Sequence, residues 1–112
     1  MQHAAGFILT NEIRKYARGR LDERLSAEAR DAARKAIDDA VYGLMMLVDG
    51  VTGGLRNSQY RVDLKFIVKL MEEPTDKTVQ EIDLRDGDGM CTGFHGWKKD
   101  DFGDDPVVVA DA

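Results

Sequence analysis

Hydrophobic residues recur at helical spacing in the first half of the chain and alternate with polar residues in much of the second half. A recurrence of three to four residues predicts helices, whereas a period of two predicts strands. Two helices are therefore expected, over residues 5–18 and 26–48. Strands are expected over residues 60–71 and 77–85, and a third extended piece over residues 89–97.

The expected fold class is α+β, with two N-terminal helices packed on a small, mainly antiparallel sheet of three or four strands. The short connection between the two clear strands favours antiparallel pairing. Two strands alone are marginally stable in water, so a third partner is needed, and residues 106–109 are a candidate edge strand. The length of 112 residues fits a single domain, residues 1–112. The expected core contains Leu44, Leu47, Val62, Leu64, Phe66, Val68 and Ile82.

The helix over residues 26–48 carries the strongest local signals. Ser26 stands at its N-cap position, and Gly50 suits the left-handed residue just beyond its C-terminus. One narrow sector holds only small residues, which predicts close packing against another helix: Ala29, Ala32, Ala33, Ala36, Ala40 and Gly43.

The last two turns of this helix are apolar almost all round, because Tyr42, Met45 and Met46 point away from the small-residue sector. A helix of this kind must be covered on more than one side. Either the sheet and the first helix enclose it, or a second copy of the chain does. Tyr42, Met45 and Met46 are therefore the candidate oligomer interface of a homodimer.

The formal net charge of −5 is unevenly distributed, because residues 61–112 hold 7 Lys/Arg and 13 Asp/Glu. An acidic half repels a phosphate backbone, so no nucleic-acid partner is expected. It favours a protein partner with a basic surface instead. No segment approaches the roughly 20 apolar residues that span a bilayer, and no signal-peptide pattern is present, so no membrane contact is expected. A lone cysteine favours a reducing, cytoplasmic location.

Candidate chemistry concentrates in residues 86–105, which hold the only Cys, the only Trp and five of the eleven glycines. A thiol nucleophile needs a base within hydrogen-bonding reach and a group that orients the base. Cys91, His95 and Asp100 are the candidates for these roles in a small enzyme. On a strand, Cys91 and His95 would lie about 13 Å apart, so only a tight turn would bring them together.

A metal-binding regulatory protein is a second alternative, with Asp86, Asp88 and His95 as candidate ligands. The acidic run that begins at Asp86 does not satisfy the calcium loop of an EF-hand, because Met90 stands where a carboxylate or amide is required. No spacing of these residues is diagnostic of a metal, and no cofactor is expected.

The leading candidate binding site is an aromatic cluster beside acidic residues, made of Phe94, His95, Trp97, Asp100 and Asp101. Tryptophan is frequent among binding hot spots, so Trp97 is the hypothesised, partly exposed anchor, although Phe94 or Trp97 could instead complete the core. The sequence thus favours a small, acidic, non-enzymatic protein-binding module. Its size and charge are similar to those of inhibitor or immunity proteins, and it would act alone or as a homodimer.

Overall fold

The computed structural model describes residues 1–99 and 101. Its helical elements are α1 (Gln2–Phe7), a π-helical turn (Ile8–Glu12), α2 (Ile13–Gly19), α3 (Ala27–Val48) and α4 (Met90–Trp97). Its strands are β1 (Leu55–Arg56), β2 (Arg61–Val62), β3 (Ile67–Glu72) and β4 (Lys77–Asp83), and a short 3-10 turn covers Leu84–Asp86. The segments α1, π turn and α2 follow one another without a break and are together called the N-terminal helix.

The combination of helices and antiparallel strands is confirmed, but the predicted sheet of three or four strands is wrong for the described residues. There, β1 pairs only with β2, and β3 pairs only with β4. The strand expected over residues 60–71 is interrupted, because β2 turns back onto β1. The Asn57 side chain closes that turn by accepting hydrogen bonds from the backbone N–H groups of Gln59 and Tyr60. The strand expected over residues 106–109 lies outside the described residues.

The long helix has the bounds that its end signals predict. The Ser26 hydroxyl accepts a hydrogen bond from the backbone N–H of Ala29, and Gly50 follows the helix with a φ of 76°. The predicted packing through the small-residue sector is wrong, because most of those alanines are exposed: Ala29, Ala32, Ala36 and Ala40. The larger residues beside them, led by Val41 and Val48, form the buried face instead.

The fully buried core lies among helical elements, and the β3–β4 hairpin contributes only partly buried residues to it. Its buried apolar residues are Ala5, Val41, Met45, Val48, Leu84, Met90, Phe94 and Trp97. Leu44, Phe66, Val68 and Ile82 pack against this core as expected and remain partly buried. Leu47 is half-buried, and the placement of Val62 and Leu64 in the core was wrong, since they are 56% and 49% exposed.

Three helices are joined by Arg14 of α2. Its guanidinium forms an ion pair with Asp38 of α3, with 2.9 Å between Nε and Oδ1, and donates a hydrogen bond to the backbone carbonyl of Lys98 at the end of α4. An arginine suits this position because its planar guanidinium presents several donors in fixed directions. No helix among residues 1–99 and 101 is both long and apolar enough to cross a membrane.

The apolar end of α3 is covered from within the chain. Met45 is fully buried, and the Tyr42 ring centroid lies 5.7 Å from that of Phe94 on α4. Met46 is half-buried. Two alternatives were considered for covering these residues, the sheet with the first helix or a second copy of the chain, and neither included α4, which packs against Tyr42 through Phe94.

Candidate functional site

Where an extended piece was predicted over residues 89–97, Met90–Trp97 form the helix α4, and Asp49 explains how that helix begins. The Asp49 carboxylate accepts hydrogen bonds from the backbone N–H groups of Met90 (2.7 Å) and Cys91 (2.9 Å). A carboxylate is favourable at this place because the N-terminus of a helix carries a partial positive charge. Gly89, with a φ of 102°, lets the chain turn sharply into α4. This cap lies some 40 residues upstream of the helix that it starts, so no local sequence signal shows it.

The Cys91 thiol is poorly suited to nucleophilic attack. Burial raises the pKa of Cys91, and the hydrogen-bonded Asp49 carboxylate raises it further, against a smaller lowering by the Tyr42 hydroxyl. A helix N-terminus can lower the pKa of a thiol, but here Asp49 already occupies the N–H groups that would do so. Cys91 is therefore protonated at neutral pH.

The helix brings His95 closer to Cys91 than a strand would. Residues four apart on a helix have Cβ atoms about 5–6 Å from each other. His95 is exposed, and its ring centroid lies 5.9 Å from that of Tyr42. Asp100, the candidate orienting group, lies outside the described residues. The structure thus places a base near a thiol that has a raised pKa, which does not favour the small-enzyme alternative.

Trp97 is not the exposed anchor that the sequence suggested. Its side chain is 1% exposed, and Phe94 is 3% exposed. The indole packs against Gly6 and Gly93, where an added methyl group would overlap the ring, and Nε1 donates a hydrogen bond to Nδ1 of His3 (3.1 Å). The interpretation of Trp97 as an anchor was wrong because Phe94 and Trp97 are three residues apart and share the inner face of a helix.

The remaining candidates of this region do not form a cluster. Within residues 1–99 and 101, no group of three or more His, Cys, Asp or Glu side chains is arranged to hold a metal ion. Asp86, Asp88 and Asp101 are exposed, and the backbone N–H of Asp88 donates to the Gln2 side chain. The structure therefore does not gather Asp86, Asp88 and His95 into the metal site that was considered.

An open groove of about 480 Å³ lies between the N-terminal helix and β3. Ala5, Ile8 and Leu9 form its helical wall, and residues 65–69 with Leu84 form the opposite wall. Successive residues of an extended chain point to opposite faces. Because five consecutive residues line the groove, side chains from both faces of this extended segment border it.

The edge of β3 that faces away from β4 has no strand partner among the described residues. The backbone N–H of Leu84 donates to the carbonyl of Phe66 (3.0 Å), and the register pairs Val68 with Ile82. Antiparallel hydrogen bonding alternates along a strand, so Val68 also bonds to β4. The backbone N–H and C=O groups of Ile67 and Lys69 consequently point to the free edge.

The side chains of the groove combine apolar surface with positive charge. Ile8 is 58% and Ile67 is 45% exposed, while Lys65 and Lys69 lie along the same wall. Lys69 forms an ion pair with Glu81, but the distance from Nζ to Oε2 is a long 4.0 Å, and both side chains are about half exposed. An exposed pair of this length contributes little, so the lysine remains available to another anion.

No protein-family model, curated protein or solved structure matches this chain. Among the described residues, the groove between the N-terminal helix and β3 is the candidate binding site. It offers free backbone donors and acceptors, an apolar wall and lysines, which together suit an extended peptide added as a strand. Sequence patterns missed it because its two walls are nearly 60 residues apart, and only the exposed edge expected of a small sheet pointed towards it.

Proposed function

We propose that this chain is a non-enzymatic protein-binding module whose groove takes an extended segment of a partner protein. The observation that carries the proposal is the free edge of β3 beside the exposed apolar surface of Ile8 and Ile67. A strand added to this edge would pair with the backbone groups of Ile67 and Lys69. Its alternate side chains would contact the wall formed by the N-terminal helix.

The exposed apolar surface of the two-stranded hairpin formed by β3 and β4 supports this proposal. Along their length, β3 and β4 expose several apolar side chains: Ile67, Leu70, Met71 and Val79. An isolated two-stranded hairpin is marginal in water, whereas three strands with an apolar face are stable. A partner strand therefore contributes backbone hydrogen bonds and covers apolar surface that is otherwise in contact with solvent.

The charge of the groove changes the kind of partner that we propose. The acidic half of the sequence favoured a partner with a basic surface. The groove, however, presents Lys65 and Lys69. We therefore propose that the bound segment alternates β-branched apolar residues with Asp or Glu. The carboxylates of the added strand would be attracted to these lysines.

Selection of random peptides displayed on phage, with the full chain as bait, tests this function. We expect enriched peptides to alternate apolar and acidic residues and to shift the NMR signals of the Ile67 and Lys69 amides. Ile8→Asp should abolish their binding, because it places a negative charge on the apolar wall. Val51→Asp is the matched control, since Val51 is 66% exposed and does not line the groove. Peptides that bind equally well to the Ile8→Asp variant would reject the groove as the binding site.

A further inference from the structure

The net negative charge of the protein resides entirely in its C-terminal segment. Residues 1–99 contain 16 Lys/Arg and 16 Asp/Glu, so their formal charges cancel. Residues 100–112 contain five Asp and no Lys or Arg. The acidity that the composition suggests for the whole protein is thus a property of its last thirteen residues.

The same segment contains the two kinds of residue that we propose for a groove ligand, although its β-branched residues are consecutive and its acidic residues flank them. Three consecutive valines, Val107, Val108 and Val109, follow Pro106, with Asp105 before them and Asp111 after them. Valine favours extended structure, and proline is compatible with the first position of an edge strand. No other stretch of the chain outside the described strands combines β-branched residues with acidic flanks in this way.

We infer that residues 106–109 of the same chain occupy the groove as a third strand along β3 until a partner segment displaces them. This inference rests on the proposed function, because it assigns the regulation of that same groove. The C-terminal segment acts as an intramolecular competitor, and a partner segment binds only when its own contacts outweigh those of the segment that it replaces.

The chain leaves α4 close enough to the groove for this arrangement. The backbone N–H of Asp101 donates to the carbonyl of Gly96, next to Trp97, which packs against Gly6 of α1. Ala5, the neighbour of Gly6, lines the groove. Val107 follows Asp101 by six positions, and six extended residues can span about 20 Å, which is roughly twice the diameter of a helix.

The groove offers contacts for both the valines and the aspartates of the C-terminal segment. Its valines can cover Ile8 and Ile67, and its aspartates can approach Lys65 and Lys69. Charge attraction of this kind is screened by salt, so the docked state weakens as ionic strength rises. The docked strand also supplies the third partner that the hairpin of β3 and β4 lacks among the described residues.

Amide hydrogen exchange of the full chain, measured by NMR at several protein concentrations, tests the inference. The Ile67 and Lys69 amides point to the free edge, whereas the Val68 amide bonds to β4 and serves as the internal control. In the native chain we expect protection at all three. In the V107G/V108G/V109G variant, protection at Ile67 and Lys69 should fall at least about tenfold, because a loss of 1.4 kcal/mol of docking free energy corresponds to that factor. Protection at Val68 should change little.

Two results would overturn the inference. Ile67 and Lys69 could exchange as fast in the native chain as in the triple-valine variant, which would show that the segment does not dock. Alternatively, their protection could depend on concentration and persist in the variant, which would assign the edge to a second copy.

A free peptide with the sequence of residues 104–112, added to the triple-valine variant, separates this inference from the proposed function. Binding of the peptide at the Ile67 and Lys69 amides, combined with protection of those amides in the native chain, supports both. Binding without native protection retains the groove as a binding site and overturns the docking of the chain's own segment. Native protection that is lost in the variant, without binding of the peptide or of any selected peptide, supports docking and overturns the partner-binding function.

Discussion

At the scale of single residues, the position of Trp97 depends on two glycines. Gly6 and Gly93 both contact the indole, and a methyl group at either position would overlap the ring. Gly93 lowers the helix propensity of α4, so a sequence-based prediction correctly counts it against a helix. Close packing overrides that propensity here, because the ring fills the space that a larger side chain would need.

Gly93→Ala and Gly43→Ala should therefore change stability in opposite directions. Both lie within helices, but the space beside Gly43 is open. We expect Gly43→Ala to stabilise the protein by about 0.5–1 kcal/mol, because alanine loses less conformational entropy. Gly93→Ala should destabilise it by about 1–3 kcal/mol through overpacking against Trp97. Urea denaturation measures both, and a stabilising Gly93→Ala substitution would contradict this placement of the indole.

The environment of Cys91 predicts a slow reaction with alkylating agents. Burial and the Asp49 carboxylate raise the pKa of the thiol, so little thiolate is present at pH 7. Iodoacetamide should modify Cys91 more slowly than it modifies glutathione. Asp49→Asn should accelerate the reaction, because it removes the negative charge while keeping an oxygen that accepts hydrogen bonds. A native rate above that of glutathione would restore Cys91 as a candidate nucleophile.

At the scale of secondary-structure elements, Asp49 couples the end of α3 to the start of α4. Asp49→Ala leaves the first N–H groups of α4 without their acceptor, and such a loss typically costs about 0.5–2 kcal/mol. Asp39→Ala is the matched control, because Asp39 forms an exposed ion pair with Lys35 and should matter little. Thermal denaturation compares the stabilities of the two variants. Equal losses of stability would show that the Asp49 cap contributes no more than an exposed ion pair.

The elements also show how far the sequence predicts the structure. The bounds of α3 were predictable because Ser26 and Gly50 lie next to the helix that they delimit. α4 was missed because its cap comes from Asp49, far away in the sequence. The alternation over residues 60–71 predicted one strand, but the Asn57 turn pairs its first part with β1. Local signals therefore predicted locally determined elements, whereas the groove depends on contacts between distant segments.

At the scale of the whole molecule, the proposed docking of the C-terminal segment on the β3 edge predicts a monomeric native chain. Unpaired strand edges promote association between molecules, and proteins commonly protect them. The V107G/V108G/V109G variant keeps the net charge of −5 but loses the proposed cover. Its weight-average mass should rise with concentration from 12.5 kDa towards twice that value, while the native chain stays at 12.5 kDa.

An additional Ile67→Lys substitution should return the triple-valine variant to the monomeric mass, because it places a positive charge at the edge where two copies would meet. Ile67 is 45% exposed, so a lysine can be accommodated without burying its charge. Sedimentation equilibrium measures each chain over the same concentration range. If the triple-valine variant remains monomeric, edge protection does not depend on the C-terminal segment. If it associates despite Ile67→Lys, another surface joins the copies, and the exposed residues Leu70, Met71 and Val79 of the hairpin are the next candidates.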